Sequence, residues 1–173
     1  MAVAEKTIAD SLLAEFDAEF GTTRKFLALV PDDKTTWKPH AKSMELGRLA
    51  WHLSDFPSWC RDTIVKDVLV FKSEEGEEMK KAWHGKTHED MLARFDADLK
   101  EARAALAAVS DEAMAAHWRF EWDGMPIIDE PRADVYRKWV VNHMVHHRAQ
   151  LGVYLRLLDV AIPGCYGPSA DEG

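Results

Sequence analysis

The chain has 173 residues, 47% hydrophobic and 30% charged, with a formal net charge of −8. That length and balance suit one domain, residues 1–173, with its own core, and the acidic total disfavours nucleic-acid binding through a basic face. The two cysteines, Cys60 and Cys165, form no CxxC, charges at Glu5, Lys6 and Asp10 interrupt the N-terminal apolar residues, and no apolar run nears a bilayer span, so a cytoplasmic chain without disulfides, signal peptide or membrane segment is expected.

The first helix is read over residues 5–30. Ile8, Leu12, Phe16 and Phe20 recur every fourth residue, Thr23, Leu27 and Val30 continue the face, and Pro31 stops it. Gly21 weakens the middle by about 1 kcal/mol relative to alanine. A polar connection follows, in which Trp37 is expected to cover the end of the core.

Ser43 is a suitable N-cap for the second helix, with Glu45 in its first turn. Leu46, Leu49, Leu53, Phe56, Cys60 and Ile64 form its apolar stripe, and His52 flanks it on the side of Phe56 and Trp59. Pro57 is expected to kink this helix by removing a hydrogen bond to Leu53. The helix is expected to fade near Phe71, before KSEEGEEMKK, which reads as a solvated loop.

Thr87 and Asp90 fit a capping box at the start of the third helix, whose stripe is Met91, Phe95, Leu99, Ala102, Leu106 and Val109. Residues 110–130 form an insert in which Trp118, Phe120 and Trp122 alternate with charges before the turn signal Asp123-Gly124, so a short hairpin or an extended cover is expected. Asp129 is a candidate cap for the fourth helix, with Pro131 in its first turn. Four amphipathic helices with connections of unequal length describe an all-α four-helix bundle, followed by a turn-rich tail at residues 161–173.

The fourth helix, residues 134–160, carries the chemistry. Tyr136, Val140, His143, His147, Leu151, Tyr154 and Leu158 share one face, which is apolar above and below the two histidines. Imidazoles at i and i+4 project side by side and can reach one ion. The alternative is a pair of core histidines bonded to their neighbours, which is costly to satisfy for two adjacent imidazoles. Of the eight histidines, His40 and His117 fall in connections, and Gly85 and Thr87 place His84 outside the helix that holds His88. His146 points about 100° from His147, towards a rim or subunit contact. A third imidazole must come from another helix, and His52 is the one that lies mid-helix elsewhere. Three ligands leave a coordination position open, the pattern of a reactive metal. The chain has no Glu-x-x-His, HExxH, G-x-S-x-G, P-loop or GxGxxG, which argues against di-iron, zincin, serine-hydrolase and nucleotide chemistries.

The segments NHMVHHRAQLGVYLR and PGCYGPSADE resemble the helix-four signature of the DinB-like (damage-inducible, YfiT-like) proteins, and TTWKPHAKSMELGRLAWHLSDFPSW resembles the family's second-helix region. The resemblance spans nearly the whole chain; Ala149 stands where the family often has glycine. It implies an up-down-down-up bundle, often a homodimer, and one divalent metal on three histidines, which map to His52, His143 and His147. Zinc or nickel suits such ligands. Some members of the family are S-transferases that use low-molecular-weight thiols, so the expectation is a metal-dependent thiol transferase acting on a small-molecule substrate. A metal-dependent hydrolase and a non-enzymatic metal- or ligand-binding stress protein are the alternatives.

Trp51, Trp59, Trp118 and Trp122 are candidate pocket walls. Asp55, one turn after His52, is either an exposed helix charge or a proton acceptor beside the site. Arg148 and Gln150 either support the fourth-helix ligands or pair on the helix surface. Ligating imidazoles must be neutral, so metal affinity is expected to fall below about pH 6.5.

Overall fold

The computed structural model describes residues 6–172; the expected helix start at Glu5 lies outside them. Helix α1 runs Ile8–Leu27 and is closed at its N-terminus by a Thr7/Asp10 capping box. It ends three residues before Val30, which is nevertheless buried. A single 3-10 turn at Asp32–Lys34 leads into the connection. Trp37 packs against the core there, edge-on to Tyr154 at 5.6 Å.

Helix α2, Leu46–Ser54, starts later than Ser43, and its N-cap position is Glu45, which makes no side-chain cap. Instead the backbone N–H groups of Leu46 and Gly47 donate to the carbonyls of Trp37 and Thr35, each at 2.8 Å. The preceding loop therefore supplies the cap that Ser43 was expected to give. Helix α3, Phe56–Val65, follows after a turn at Asp55, with Pro57 in its first turn. Proline costs little there because no intrahelical partner is lost. Pro57 thus opens a new helix rather than kinking the interior of one.

The second helix ends at Val65, well before Phe71. Strand β1 occupies Val68–Phe71, and helix α4 occupies Ser73–Lys81, where a loop was expected. The acidic run reads as solvated because almost all of α4 is exposed; its one buried residue is Gly76. A Cβ at Gly76 would lie 2.4 Å from the Trp122 ring, so the missing side chain is what lets α4 sit against that indole. The Trp122 Nε1–H also donates to Ser73 Oγ at 3.1 Å.

Helix α5, His88–Ala108, begins at the expected Thr87/Asp90 capping box. The insert contains a short helix, α6 (Asp111–Ala115), and a hairpin of β2 (His117–Trp122) and β3 (Met125–Pro131). Its turn places Asp123 and Gly124 at φ 48° and 77°, the left-handed pair of a tight hairpin turn. Strand β1 joins β2 in parallel, giving the order β1-β2-β3. The protein is therefore mostly helical with a small sheet rather than all-α.

The last helix begins as α7, Arg132–Val135, with Pro131 rather than Asp129 at its N-cap; Asp129 lies in β3 and pairs with His117. It continues through a π-helical segment, Tyr136–Asn142, into α8, His143–Leu157.

Helix α1 and α2–α3 each pack against both α5 and α8. Ion pairs fix the registers. Arg24 meets Asp96 and Arg103 meets Asp17, each at 2.7 Å, so α1 and α5 run oppositely. Asp55 pairs with Arg94 and Arg61 with Asp98, so α2–α3 and α5 run the same way. Phe16, Phe20, Leu49, Leu53, Phe56, Phe95, Leu106 and Leu151 meet in the shared core. No helix among the described residues is long and apolar enough to cross a membrane.

Arg132 joins the sheet to the bundle. It is buried, and its guanidinium donates to the carbonyls of Thr63, Ala113 and Lys66 and to the Asp67 carboxylate. Four acceptors from the end of α3, from α6 and from the approach to β1 thus converge on one cation. Arg132→Met removes the donors and leaves carbonyls unsatisfied. The expected destabilisation is on the order of 3 kcal/mol, read as a lower denaturant midpoint.

Candidate metal centre

Three of the eight histidines come together. The ring nitrogens of His52, His143 and His147 that could ligate an ion lie within 4.8 Å of one another. Helix α2 presents His52 and α8 presents the other two, and the ring centroid of His52 is 4.7 Å from His147 and 5.2 Å from His143. His143 is the first residue after the π-helical segment. Such single-turn widenings occur frequently at functional sites, because they re-aim the side chains that follow. Phe56 and Trp59 stand edge-on to His52 at 5.2 and 5.6 Å and wall off the cluster.

The closest approach is between His143 Nε2 and His147 Nε2, at 2.9 Å. On its other side His147 Nδ1 lies 2.7 Å from Gln150 Oε1. The amide oxygen accepts, so the proton of neutral His147 resides on Nδ1 and its Nε2 lone pair faces His143. A proton or a cation must lie between the two Nε2 atoms. His143 Nδ1 is an acceptor when the proton sits on Nε2 and an N–H donor when the Nε2 lone pair is free, and in either case it is buried with no hydrogen-bond partner. The Trp139 carbonyl one turn earlier acts on that ring, but outside hydrogen-bonding geometry. With the His143 proton on Nδ1, both Nε2 lone pairs would be available to an ion, and the donor set of three imidazoles fits a divalent transition metal.

Electrostatics favour ligation further. Burial depresses the His52 pKa to about 3, aided by the neighbouring His147, His143 and Arg48. Burial depresses His147 to about 4 against the opposing hydrogen bond to Gln150, and burial also lowers His143. All three rings are neutral at ordinary pH. The onset of proton competition for the ion therefore lies lower than the free-histidine value suggests.

The remaining candidates separate clearly. Asp55 is buried, not an exposed helix charge, and it binds Arg94, whose guanidinium also lies 4.4 Å over the Trp51 ring. Burial pushes the Asp55 carboxyl upwards, and Arg94 opposes that. Gln150 does support a fourth-helix histidine. Arg148 does not: it is buried against α1, donating to the Glu19 carbonyl and carboxylate, to Thr23 Oγ1 and to Tyr166 in the tail. His146 is exposed, with its ring 5.0 Å from His147. His84 lies in a turn outside α5, while His88 pairs with Asp32 at its start. Cys60 is buried in the core, where burial pushes its thiol up, and Cys165 is exposed in the tail.

A cavity of about 290 Å³ opens beside His52, walled by Trp51, Trp59 and Trp122. Trp118 belongs to a second cavity, which reaches His143. Arg48 lines the first cavity and was not anticipated. Its position was nonetheless legible, since Arg48, His52, Asp55 and Trp59 follow one another at helical spacings of four, three and four.

The sequence model of the DinB family matches residues 1–173. Among solved structures, the fold is similar to that of a DinB-like protein, YjoA, from Bacillus subtilis. The TM-score is 0.65 at 15% identity, over 89% of this chain and 96% of that one. No curated protein matches the sequence.

Unfolded histidines titrate near 6.5, whereas folded His52 and His147 titrate at about 3 and about 4. Between those values the unfolded chain binds more protons than the folded one. The stabilisation is fully present above the unfolded value and is lost as pH falls towards the folded values. The thermal midpoint of metal-free protein should therefore drop between pH 7 and pH 5, above the range where carboxylates protonate. His52→Gln should flatten that drop in circular-dichroism melts.

Proposed function

Because the chain belongs to the DinB family and brings three neutral imidazoles together beside an open cavity, we propose that it binds one divalent ion, zinc or nickel, through His52, His143 and His147. We further propose that it acts as a metal-dependent S-transferase using a low-molecular-weight thiol. The observation that carries the reading is the convergence of three neutral imidazoles from two helices, with the His147 proton held on the far side of its ring by Gln150. A divalent ion held there supplies a positive charge that favours thiolate over thiol, and the thiolate is the nucleophile.

The chain's own residues support the rest of that chemistry. Gln150 holds the His147 ring in the Nδ1–H tautomer. Phe56 and Trp59 exclude water from one side of the cluster. Arg94 occupies the Asp55 carboxylate, which keeps that anion from competing for the centre. Neither cysteine lies at the histidines: Cys60 is in the core and Cys165 in the tail. The thiol therefore comes from solution.

The reading also includes an up-down-down-up bundle and a homodimer acting in the cytoplasm. The ion-pair registers of α1, α2–α3 and α5 support the helix order. Val153 and Leu157, one turn apart on α8 and exposed at 59% and 57%, give the dimer an apolar surface. Light scattering at micromolar concentration should return twice the chain mass; the chain mass itself would refute the dimer.

Elemental analysis of protein purified without a nickel column should find one divalent ion per chain. His52→Ala and His143→Ala should each lose most of it, whereas His84→Ala and His88→Ala should not. Full occupancy in His52→Ala would sink the ligand assignment. For the reaction, metal-loaded protein should accelerate conjugation of a bimane-type electrophile with at least one small thiol, and His147→Ala should not. Metal-dependent turnover of esters or amides without any thiol would replace transfer with hydrolysis. Inactivity on both panels would leave a metal-binding protein.

A further inference from the structure

Two cavities adjoin the histidine cluster, and their walls differ in kind. The larger, about 290 Å³, carries His52 together with Arg48, Asp55 and Lys80. The smaller, about 140 Å³, presents a wholly apolar surface and carries His143 with Leu69, Trp118 and Trp139. Trp59, Phe71 and Phe120 line both. The chambers therefore adjoin along the same three aromatic side chains, with one histidine of the cluster at each.

The charges of the larger chamber are mostly taken. Asp55 is held by Arg94, and Lys80 by Glu77. Arg48 is half-buried, lies near enough to His52 and to Glu77 to act on their charges, and forms no ion pair among the described residues. A free guanidinium in a cavity wall is a fork that fits a carboxylate with two parallel hydrogen bonds. The smaller chamber has Thr63, Trp118 and His143 in its lining, but their polar atoms expose no surface to it. Its volume compares with an engineered apolar cavity of about 150 Å³ that stays dry and admits benzene. Its mouth lies by Ile127 and Trp139, which are 56% and 41% exposed.

We propose that the site takes a small amphiphilic anion, with a carboxylate at Arg48 in the larger chamber and a compact apolar group, up to the size of a phenyl ring, in the smaller one. The atoms that link the two ends then lie between His52, at one chamber, and His143, at the other. This deepens the metal-centre reading by giving its substrate class. The chambers themselves are built by protein side chains, so the proposal is testable without metal.

The test uses metal-free full-length protein, with tryptophan fluorescence and calorimetry as readouts, since Trp59, Trp118 and Trp139 line the apolar chamber. Toluene probes the apolar chamber alone, and 3-phenylpropionate is compared with its uncharged amide to probe both. Wild-type protein should bind toluene and should prefer the carboxylate over the amide by roughly tenfold or more, the scale of a charge-assisted hydrogen bond. Arg48→Met should abolish that preference and leave toluene binding unchanged. Leu69→Trp fills the apolar chamber and should abolish binding of all three; Ile127→Trp, at the exposed mouth, serves if Leu69→Trp fails to fold. Absence of toluene binding to the wild type overturns the proposal, as does a carboxylate preference that survives Arg48→Met. Failure of the metal reading registers separately, as wild-type protein purified without metal.

Discussion

The 2.9 Å approach of two histidine Nε2 atoms, with His147 Nδ1 engaged by Gln150, is the contact on which the functional architecture depends. Two lone pairs at that distance repel, so a proton on one of the rings or a cation must separate them. Burial holds all three rings of the cluster in their neutral form, so the approach is satisfied either by a His143 Nε2–H donating to His147 or by a cation that both lone pairs ligate. The packing of α2 against α8 adds His52 to the His143/His147 pair, so that three neutral nitrogen donors meet at one place.

Neighbouring residues keep the centre free of competing charge. Asp55 is the nearest carboxylate on the His52 helix, one turn on, and a carboxylate there could neutralise an ion or protonate a ring. Arg94 holds it from α5 while stacking on Trp51. Arg148, on the same helix as two of the histidines, is likewise committed elsewhere, to Glu19, Thr23 and Tyr166. The buried ion pairs thus tie α2–α3 to α5 and α8 to α1, and they fix the positions of the rings without touching them.

The small sheet has a different role from the bundle. Trp118, Phe120 and Trp122 project from β2, and Leu69 and Phe71 from β1, to close the two cavities that the helices leave open beside His52 and His143. Arg132 holds that sheet to the ends of α3 and α6 through backbone acceptors. Backbone carbonyls are present whatever the side chains are. The walls of the cavities can consequently differ in chemistry while the anchoring stays the same.

The periodic stripes of α1, α5 and the last helix were legible because burial on one face imposes a helical repeat; so were the Thr87/Asp90 cap and the Asp123-Gly124 turn, which depend on residues within a few positions. The convergence of His52 with the His143/His147 pair was legible for the same reason, each ring lying on or beside an apolar stripe. What misled the sequence reading depended on distant partners. Strand β1 exists because β2, some fifty residues later, pairs with it, and α4 is held by the Trp122 ring above Gly76. The start of α2 is set by carbonyls of Thr35 and Trp37 rather than by Ser43. Asp55 read as an exposed charge because Arg94 is on another helix. Local periodicity and capping are written in neighbouring residues; which polar group is buried, and against what, is decided only when segments remote in the chain pack together.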